Sequence, residues 1–519
     1  MVGIGSGKQI RRTVLRAVSC IVAAALFIPI TLMLPRQSAG AAAVTLTMAR
    51  NADMLTWDPY NIGDDPSIFT QMAVYDRLVK LAPSNKDVQP ELATSWKMSP
   101  DGLTATFSLR QGVKFSDGTP LTADDVVLSL TRAIDQKSEW GFLFSPVKSV
   151  SKVDAKTIAL HMSEPFAPLL AGLSTFAASI YSKAQFEKYG PEMVRHPLGT
   201  GAFTLESWEK GSQITLVKNP NYWQPGKPKI DRIVMRVVGD DNTRVLQLQS
   251  GRVDLIDAVP PNQVQAMRGA GLKVYAVNGT AVMRYTLNET IKPLDEVNVR
   301  AAMGHVVDRQ AVAKNVYFGL ATVARSLLPS TTLYYDPNAD PLTYDIAKAK
   351  AFLAKSSVPN GFTLTAQLPA GNQTLLDAAT IWANGLKQIG VTLKIEQLET
   401  TTLIQQRNAE HYTVYNAAWT NDTPDPDELM GVAMDFKSQH AAHTFYNNPE
   451  AQQLVRQARR ELDPKKRQAL YTQLQRIESR DAPQIYVVEV PRLYASLPNL
   501  VGFEPNSQGK YQFENVSKR

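Results

Sequence analysis

The chain has 519 residues, which is too long for one hydrophobic core, so two or more domains are expected. Its formal charge of +7 arises largely in the first 43 residues, which contain five basic residues and no acidic one. The rest of the chain has 50 basic and 48 acidic residues, and this near balance of charge gives no reason to expect nucleic acid as a partner.

Residues 1–43 are predicted to be a secretory signal peptide. A basic stretch, Lys8–Arg16, precedes the apolar run Cys20–Leu34, and small residues follow. The run of about 15 residues contains Pro29 and is short for a membrane span of roughly 20, so an uncleaved anchor is the alternative. The pair Arg11-Arg12 leaves twin-arginine export open. Cys20 is the only cysteine, so neither a disulfide nor a thiolate site is expected after cleavage.

Alternation of apolar residues, turn signals and capping residues predict the elements of the chain in order. They are strand Val44–Met48, a hairpin around Ser99–Gly102, a helix at 126–135 capped by Thr122 and Asp125, strands Ile214–Val217 and Ile233–Val238, helices Val299–Asn315 and Asp345–Lys355, a helix from Asp463 to about Arg480, and strand Ile485–Val490. Strands alternate with helices, which indicates an α/β or α+β class.

The segment Ala417–Leu429, AAWTNDTPDPDEL, places four acids behind a tryptophan. Asp425 fits a helix cap, a proline follows it, and Glu428 fits an acid that reaches back to the cap. Asp427 meets the positive end of the same helix. Asp422 has no such local role. Thr423 and Asp425 each precede a proline, which favours extended backbone and stiffens the loop that holds Asp422 at the end of a predicted strand. It is a candidate for binding a cationic group, with an Asx-turn as the alternative.

Patterns that would indicate catalysis or metal binding are weak. There is no Gly-x-Ser-x-Gly elbow, and paired acids such as Asp124-Asp125 fit helix starts. His440 and His443 are the closest histidines; they fit either two ligands on one helix face or a solvated loop. No catalytic residue, cofactor or metal is therefore predicted.

Five segments, in order along the chain, resemble one known family. They are Leu92–Asp135, His196–Trp223, Arg284–Asp308, Asp481–Tyr486 and the C-terminal VGFEPNSQGKYQF. Together they resemble the peptide/nickel/opine class, family 5, of the extracellular solute-binding proteins that feed ABC importers. The resemblance covers essentially all of the chain after the predicted signal peptide.

The resemblance implies an α/β fold with two lobes that close on a ligand, the periplasmic-binding-protein or Venus-flytrap fold. Carried over, lobe I comprises 44–279 plus 488–519, with an extra subdomain at about 81–204. Lobe II comprises 280–487. The chain would cross between the lobes twice, and those crossings would form the hinge.

The resemblance also implies ligand-binding residues. In peptide-binding members the acid that matches Asp422 receives the α-ammonium of the ligand. Trp419 is expected to be a wall of the pocket, and Trp140 falls where some members place an aromatic residue over the cleft. The weaker candidates are Tyr60, Asn61, Arg284 and Asn288. Ordinary core or surface packing is the alternative for each aromatic residue.

The predicted function is therefore that of an exported, non-enzymatic, monomeric binding protein in the periplasm. It would capture a small ligand, with a short peptide favoured because of Asp422, and deliver it to inner-membrane permease subunits. A nickel chelate, an opine or an oligosaccharide stays open as the ligand. Functions of a different class also stay open: a secreted peptide hydrolase, or a receptor or chaperone that uses the same cleft.

Overall fold

The computed structural model describes residues 43–82, 84–436 and 443–519. The predicted signal peptide, apart from residue 43, lies outside the described residues and stays a prediction. The side chains of Ala417 and Trp419 lie outside the description as well. Across the described ranges, no helix is both long and apolar enough to span a bilayer.

The described residues form nineteen strands, numbered β1 to β19 in chain order. They are Thr45–Arg50, Val79–Leu81, Val88–Pro90, Ala93–Met98, Thr104–Leu109, Val147–Asp154, Thr157–Met162, Phe203–Glu209, Gln213–Lys218, Arg232–Val237, Leu255–Ile256, Lys273–Leu287, Thr322–Val323, Thr363–Pro369, Thr392–Leu398, Val414–Thr420, Gln484–Ser496, Leu500–Val501 and Ser517–Lys518.

Fourteen α-helices, α1 to α14, connect them in the described ranges. They are Asp65–Gln71, Ala123–Ala133, Leu169–Leu173, Lys183–Tyr189, Asp241–Gln249, Val264–Gly269, Val297–His305, Arg309–Ala311, Ile346–Leu353, Gln373–Lys387, Thr400–Asn408, Asp427–Met434, Pro449–Arg460 and Pro464–Asp481. Short 3-10 turns occur at Gly141–Phe144, Phe176–Ala178, Gly190–Arg195, Pro261–Gln263 and Phe513–Asn515, and a π-helix at Val312–Val316.

One mixed sheet of eleven strands runs through the described part of the chain. Its order is β15-β14-β16-β12-β17-β11-β1-β10-β9-β8, with β13 added to β17. At one end β14 pairs in parallel with β15 and β16; toward the other, β1 pairs in parallel with β10 and β11. Parallel neighbours need crossover connections, and helices supply them here.

Strands β12 and β17 join the two halves of this sheet. They have 15 and 13 residues and pair antiparallel along most of their length. Their register shifts between Asn278 and Ala281. At Gly279, inside this shift, an added Cβ would lie 2.2 Å from the carbonyl oxygen of Val490. Only glycine permits such a close approach of two backbones, so this residue fixes the crossing of the two strands.

Two large hydrophobic clusters lie on either side of that crossing. The first buries residues such as Leu46, Phe107 and Tyr511, drawn from 46–255 and 494–516. The second buries residues such as Met283 and Trp382, drawn from 283–488. We call the parts built on these clusters lobe I and lobe II. The predicted two-lobed α/β fold is confirmed, whereas the predicted residue boundaries of the lobes stay a prediction.

A separate four-stranded sheet, β4-β5-β7-β6, belongs to lobe I. The predicted hairpin around Ser99–Gly102 is its β4–β5 pair, and Gly102 adopts a φ of 71° at the turn. Helix α2 follows with the predicted cap, because Thr122 and Asp125 each accept a hydrogen bond from the other's backbone N–H. This sheet falls within 81–204, the segment for which an extra subdomain is expected.

Two predicted elements differ from the structure in extent. The helix expected at Val299–Asn315 ends at His305, because the side chain of Asp308 accepts from the N–H of Ala311 at 2.8 Å and starts a new turn. The strand expected at Ile485–Val490 continues to residue 496 through Pro491. The helix expected from Asp463 is confirmed as α14, with Asp463 as its cap.

Candidate functional site

A cavity of about 960 Å³ is lined by residues of both lobes. This volume lies in the range of roughly 300–1,000 Å³ that is usual for small-ligand sites. Lobe I contributes residues near the ends of β1 and β11, residues 490–494 within β17 and the starts of α1 and α5. Lobe II contributes the C-terminal end of β14, the starts of α10 and α11 and the middle of β16. The carboxyl ends of parallel strands are where open α/β sheets bind ligands.

The lobe I wall of this cavity is acidic. Asp65, Asp241 and Asp257 line it, and Arg492 is the only basic lining residue among those described. Arg492 Nη1 donates to Asp65 Oδ2 at 2.7 Å, and its Nη2 donates to Thr420 Oγ1 of lobe II at 2.8 Å. Arg492 therefore connects the lobes while its charge is paired. Burial raises the pKa of Asp257.

The lobe II wall contains no charged residue among the described lining residues. Asn416 of β16 is 3% exposed, and neither atom of its carboxamide has a hydrogen-bond partner in the described part of the chain. Asn372 precedes α10 and caps it by accepting from the N–H of Leu375 at 3.0 Å. A buried carboxamide without partners is unfavourable unless a ligand or water satisfies it.

Asp422 lies two residues beyond β16 and is buried. Its N–H donates to Glu428 Oε2 at 2.9 Å, so Glu428 reaches back beyond Asp425, the cap predicted as its partner, to Asp422. Its carbonyl oxygen accepts from Gln508 Nε2 at 2.7 Å and from Lys510 Nζ at 3.1 Å. Its carboxylate accepts no hydrogen bond from the described residues, and Lys510 Nζ lies 3.8 Å from its Oδ1. The backbone of Asp422 is thus fixed while its charged end lacks a hydrogen bond.

Burial has the largest effect on the pKa values of Asp422 and Lys510. It raises the pKa of Asp422 to about 6, against the opposing effect of the Lys510 ammonium, and the Asp65 carboxylate adds to the rise. Burial also lowers the pKa of Lys510. Each shift is opposite to what attraction alone would give, so loss of hydration outweighs attraction across this distance. Asp422 is a buried acid without a tightly bound counter-ion.

The neighbouring acids Asp425 and Asp427 form ion pairs with arginines of the protein. Both carboxylate oxygens of Asp425 accept from the guanidinium of Arg467, one of them at 2.8 Å, and both side chains are buried. Asp427 accepts from Arg459 Nε at 3.1 Å. Helix α12 begins at Asp427, whose N–H donates to Asp425 Oδ1 at 2.9 Å. Asp425 and Asp427 thus lie at the start of a helix as predicted, but Pro426, not Asp425, directly precedes α12, and the ion pairs with Arg467 and Arg459 were not predicted.

Three predicted ligand residues belong to lobe I and do not line the cavity. Trp140 is buried, and its Nε1 donates to the carbonyl oxygen of Ile62 at 2.6 Å. Tyr60 is buried, and its hydroxyl donates to the carbonyl oxygen of Ser129 at 3.0 Å. Asn61 is exposed on the connecting loop. Their ligand-binding role stays a prediction, and the described contacts give the two aromatic residues a packing role.

Arg284 and Asn288, also predicted to bind ligand, lie inside lobe II away from the cavity lining. Arg284 is buried, its Nε and Nη1 have no hydrogen-bond partner among the described residues, and burial lowers its pKa. Asn288 donates through Nδ2 to the carbonyl oxygen of Tyr412 at 3.1 Å and accepts from the N–H of Thr290 at 3.0 Å. Those bonds fix a turn, and the ligand role of both residues stays a prediction.

Two predicted candidates fall on parts that are not described. Trp419 belongs to β16 and is paired in register with Val282, but its side chain lies outside the description, so its role as a pocket wall stays a prediction. His440 lies in 437–442, also outside the described residues. Among the residues that are described, no group of three or more His, Cys, Asp or Glu is arranged to hold a metal ion.

Sequence reasoning missed Asn416, Arg492 and Lys510. A signal existed for Asn416, because it is the one amide in the otherwise apolar or aromatic stretch from Val414 to Trp419. Arg492 follows a proline and looked like the end of a strand. Lys510 gave no local signal, because it is 88 positions from Asp422.

The family model of bacterial extracellular solute-binding proteins, family 5, matches residues 87–438. The glutathione-binding protein GsiB of Escherichia coli is 30% identical over 493 residues, which covers 92% of this chain and 94% of the relative.

Two solved structures illustrate the similarity of fold. The ABC transporter-associated periplasmic binding protein DppA of Helicobacter pylori, in complex with the peptide STSA, gives a TM-score of 0.82 at 28% identity, over 92% of this chain and 98% of that one. NikA of Brucella suis, in complex with Fe(III)-EDTA, gives 0.83 at 21% identity, over 92% and 100%. The second likeness concerns the fold alone.

Proposed function

The chain belongs to family 5 of the bacterial extracellular solute-binding proteins, and on this premise we propose that its ligand is a short peptide held between the two lobes. As the substrate-binding component of an ABC importer, it would deliver this peptide to permease subunits in the inner membrane. Family membership accounts for solute binding. The choice of a peptide rests on the cavity.

The observation that carries the proposal is an open strand edge beside the cavity. Strand β16 pairs with β12 over all of Val414–Thr420, whereas β14 pairs only with Val414 and Tyr415. Among the described residues, no strand pairs with Asn416–Thr420 on that outer side. Asn416 and Ala418, within this stretch, line the cavity. An extended peptide can add to such an edge through main-chain hydrogen bonds, which a sugar or a metal chelate cannot do.

Asp422 follows this edge and supports binding of an amino terminus. A peptide antiparallel to β16 would bring its α-ammonium to this carboxylate, which accepts no hydrogen bond from the described residues. A charge-assisted hydrogen bond of this kind contributes about 1.5–3 kcal/mol. Asp422 does not line the cavity, and Gln508 and Lys510 bind its carbonyl oxygen. We infer that the ammonium reaches Asp422 while the lobes are apart, and that these two residues cover it afterwards.

The relatives support the same ligand class. GsiB is named a glutathione-binding protein, and DppA was solved with the peptide STSA. Both ligands are short peptides. A strand rises about 3.4 Å per residue, so the edge at 416–420 suits a peptide of about two to four residues. Within this proposal Trp419 is a wall of the pocket, as predicted from the sequence.

The remaining parts of the proposal concern organisation and location. Lobe I would comprise 44–279 plus 488–519, lobe II 280–487, and the crossing of β12 and β17 would be the hinge. Residues 1–43 would direct export, by the general or the twin-arginine route, and be cleaved in the periplasm. The protein would act as a monomer and would not alter its ligand chemically.

The test begins with native mass spectrometry of protein purified without added ligand. We expect a retained mass that corresponds to peptides. Calorimetry would then compare trialanine, glutathione, a nickel–histidine chelate, an opine and maltotriose, with peptides binding tightest. Retention or preferred binding of a chelate, opine or sugar would overturn the peptide assignment. Cleavage of a bound peptide during incubation would instead reveal a hydrolase.

A further inference from the structure

We propose that the end of the ligand opposite its amino terminus is a carboxylate, received by the N-terminus of α10 and by Asn416 without any basic side chain. The inference rests on the proposed peptide function and narrows it to peptides with a free carboxylate.

The start of α10 opens onto the cavity. Asn372, Gln373, Thr374 and Leu375 all line it. The N–H of Leu375 is capped by Asn372, whereas the N–H groups of Gln373 and Thr374 donate to no partner among the described residues. The helix has 15 residues, so its aligned peptide dipoles place partial positive charge at this end. Free first-turn N–H groups with such a dipole form an anion-binding site.

The neighbouring helix α11 shows what the start of α10 lacks. Glu399 caps α11, and its carboxylate accepts from the N–H groups of Thr401 and Thr402 at 2.7 and 3.2 Å. The cap of α10 is the neutral Asn372, and its first turn contains no acid. Both helix starts border the cavity, since Thr400 of α11 lines it as well; the protein supplies a carboxylate of its own to the start of α11 and none to the start of α10.

Asn416 is an independent indication of a ligand at the same place. Its carboxamide is buried, borders the cavity and has no partner for either polar atom among the described residues. In the parallel register Gln367 lies opposite Tyr415, so Asn416 is level with Leu368, just before the loop to α10. Its Nδ2 would donate to a ligand carboxylate oxygen, and its Oδ1 would accept from the ligand's last N–H.

The charges of the cavity favour this orientation over the reverse. Asp65, Asp241 and Asp257 on the lobe I wall repel a carboxylate, and Arg492 already pairs with Asp65. The lobe II wall has no described lining residue of either charge, and the Glu399 carboxylate, next to the lining residue Thr400, already accepts two hydrogen bonds from the start of α11. A zwitterionic peptide therefore fits with its ammonium at Asp422 and its carboxylate at α10.

The test measures, by calorimetry, the binding of trialanine and of its C-terminal amide. For the wild type we expect amidation to weaken binding at least about ten-fold. Thr374→Asp would place an acid in the first turn of α10, where it favours the helix but repels the ligand carboxylate. This variant should bind trialanine at least about ten-fold more weakly than the wild type does, and bind the amide almost as well. The two peptides should then bind the variant with similar affinities.

A matched control is Ala347→Asp, an acid at the equivalent position of α9, exposed and outside the cavity lining. It should keep the wild-type difference, and thermal unfolding should show both variants folded. Equal wild-type affinity for trialanine and its amide, or an unchanged difference in Thr374→Asp, would overturn the inference while the peptide function stands. Absence of binding by both peptides would instead overturn the proposed function, and the inference with it.

Discussion

Asp422 and Asp425 lie on one loop, three positions apart, and both are buried, yet their carboxylates have opposite surroundings. Asp425 binds the Arg467 guanidinium through two hydrogen bonds. Asp422 has a lysine ammonium 3.8 Å away and no hydrogen bond to its carboxylate from the described residues.

The difference separates an acid that stabilises the fold from one that is available to a ligand. Bidentate hydrogen bonds compensate Asp425 for its lost hydration. Asp422 has no such compensation from the described residues, and burial raises its pKa. A buried acid whose carboxylate accepts no hydrogen bond from the described residues is a candidate ligand-binding group.

The largest expected effect is that of Asp425→Ala. It leaves Arg467 buried without its counter-ion, so the free energy of unfolding should fall by about 3–5 kcal/mol. Urea denaturation measures this. Asp422→Ala serves as the comparison and should lose distinctly less stability, and equal losses would remove the distinction between the two acids.

Asp422→Asn should weaken binding of a peptide with a free amine by about 10- to 150-fold, the equivalent of about 1.5–3 kcal/mol. Calorimetry near pH 7 measures this change. An N-acetylated peptide, which has no ammonium, is the control and should bind wild type and variant alike. Unchanged affinity for the free-amine peptide would show that Asp422 does not receive it.

The pH dependence of binding should show the ionisation of Asp422. Because its pKa is about 6, the fraction ionised falls about ten-fold between pH 7 and pH 5, and affinity for a free-amine peptide should fall in proportion. Asp422→Asn should flatten this profile. A wild-type affinity that is constant over this range would contradict the raised pKa.

The raised pKa of Asp422 also predicts how the stability of the ligand-free protein changes with pH. Burial raises the pKa of Asp422 from 3.8, so the folded state binds this proton more tightly than the unfolded state. The stability of the wild type relative to Asp422→Asn should therefore decline as the pH rises from about 4 to about 7. Denaturation of both proteins across this range measures the difference, and a rise would contradict the assignment.

The smallest expected effect is that of Glu428→Gln. Glu428 Oε2 accepts from the N–H groups of Asp422 and Thr423 at 2.9 and 3.0 Å. Glutamine keeps an acceptor but removes the charge, so stability should fall by about 1 kcal/mol and peptide affinity by a few-fold. Urea denaturation and calorimetry measure the two changes. A loss of affinity as large as that of Asp422→Asn would make Glu428, rather than Asp422, the main determinant.

Features that depend on neighbours in sequence could be predicted. The capping box of Thr122 and Asp125, the Asp463 cap and the hairpin at Ser99–Gly102 each need only a few consecutive residues, and the structure contains all three. The missed break after His305 was also local, since Asp308 caps the next turn and the apolar periodicity hid it.

Features that depend on distant pairs could not be predicted in the same way. Asp425 and Arg467 are 42 positions apart, and Asp422 and Lys510 are 88 apart. The sequence suggested that Asp422 had no structural role, whereas its main chain forms hydrogen bonds with Glu428, Gln508 and Lys510. It contained no sign that a lysine would lie beside it, because that proximity arises only when the tail of lobe I meets a loop of lobe II.

Lobe I is assembled from segments made at widely separated times. Lys518 Nζ donates to the carbonyl oxygen of Thr45 at 2.9 Å and lies 2.8 Å from Asp254, and Thr45 precedes Lys518 by 473 positions. At roughly 5–20 residues per second, a ribosome needs about 25–100 s to make that stretch. Strand β1 therefore cannot form these contacts until at least this long after it has been made. During that wait the growing chain carries an incomplete lobe I, an interval in which a chaperone would find apolar surface to hold.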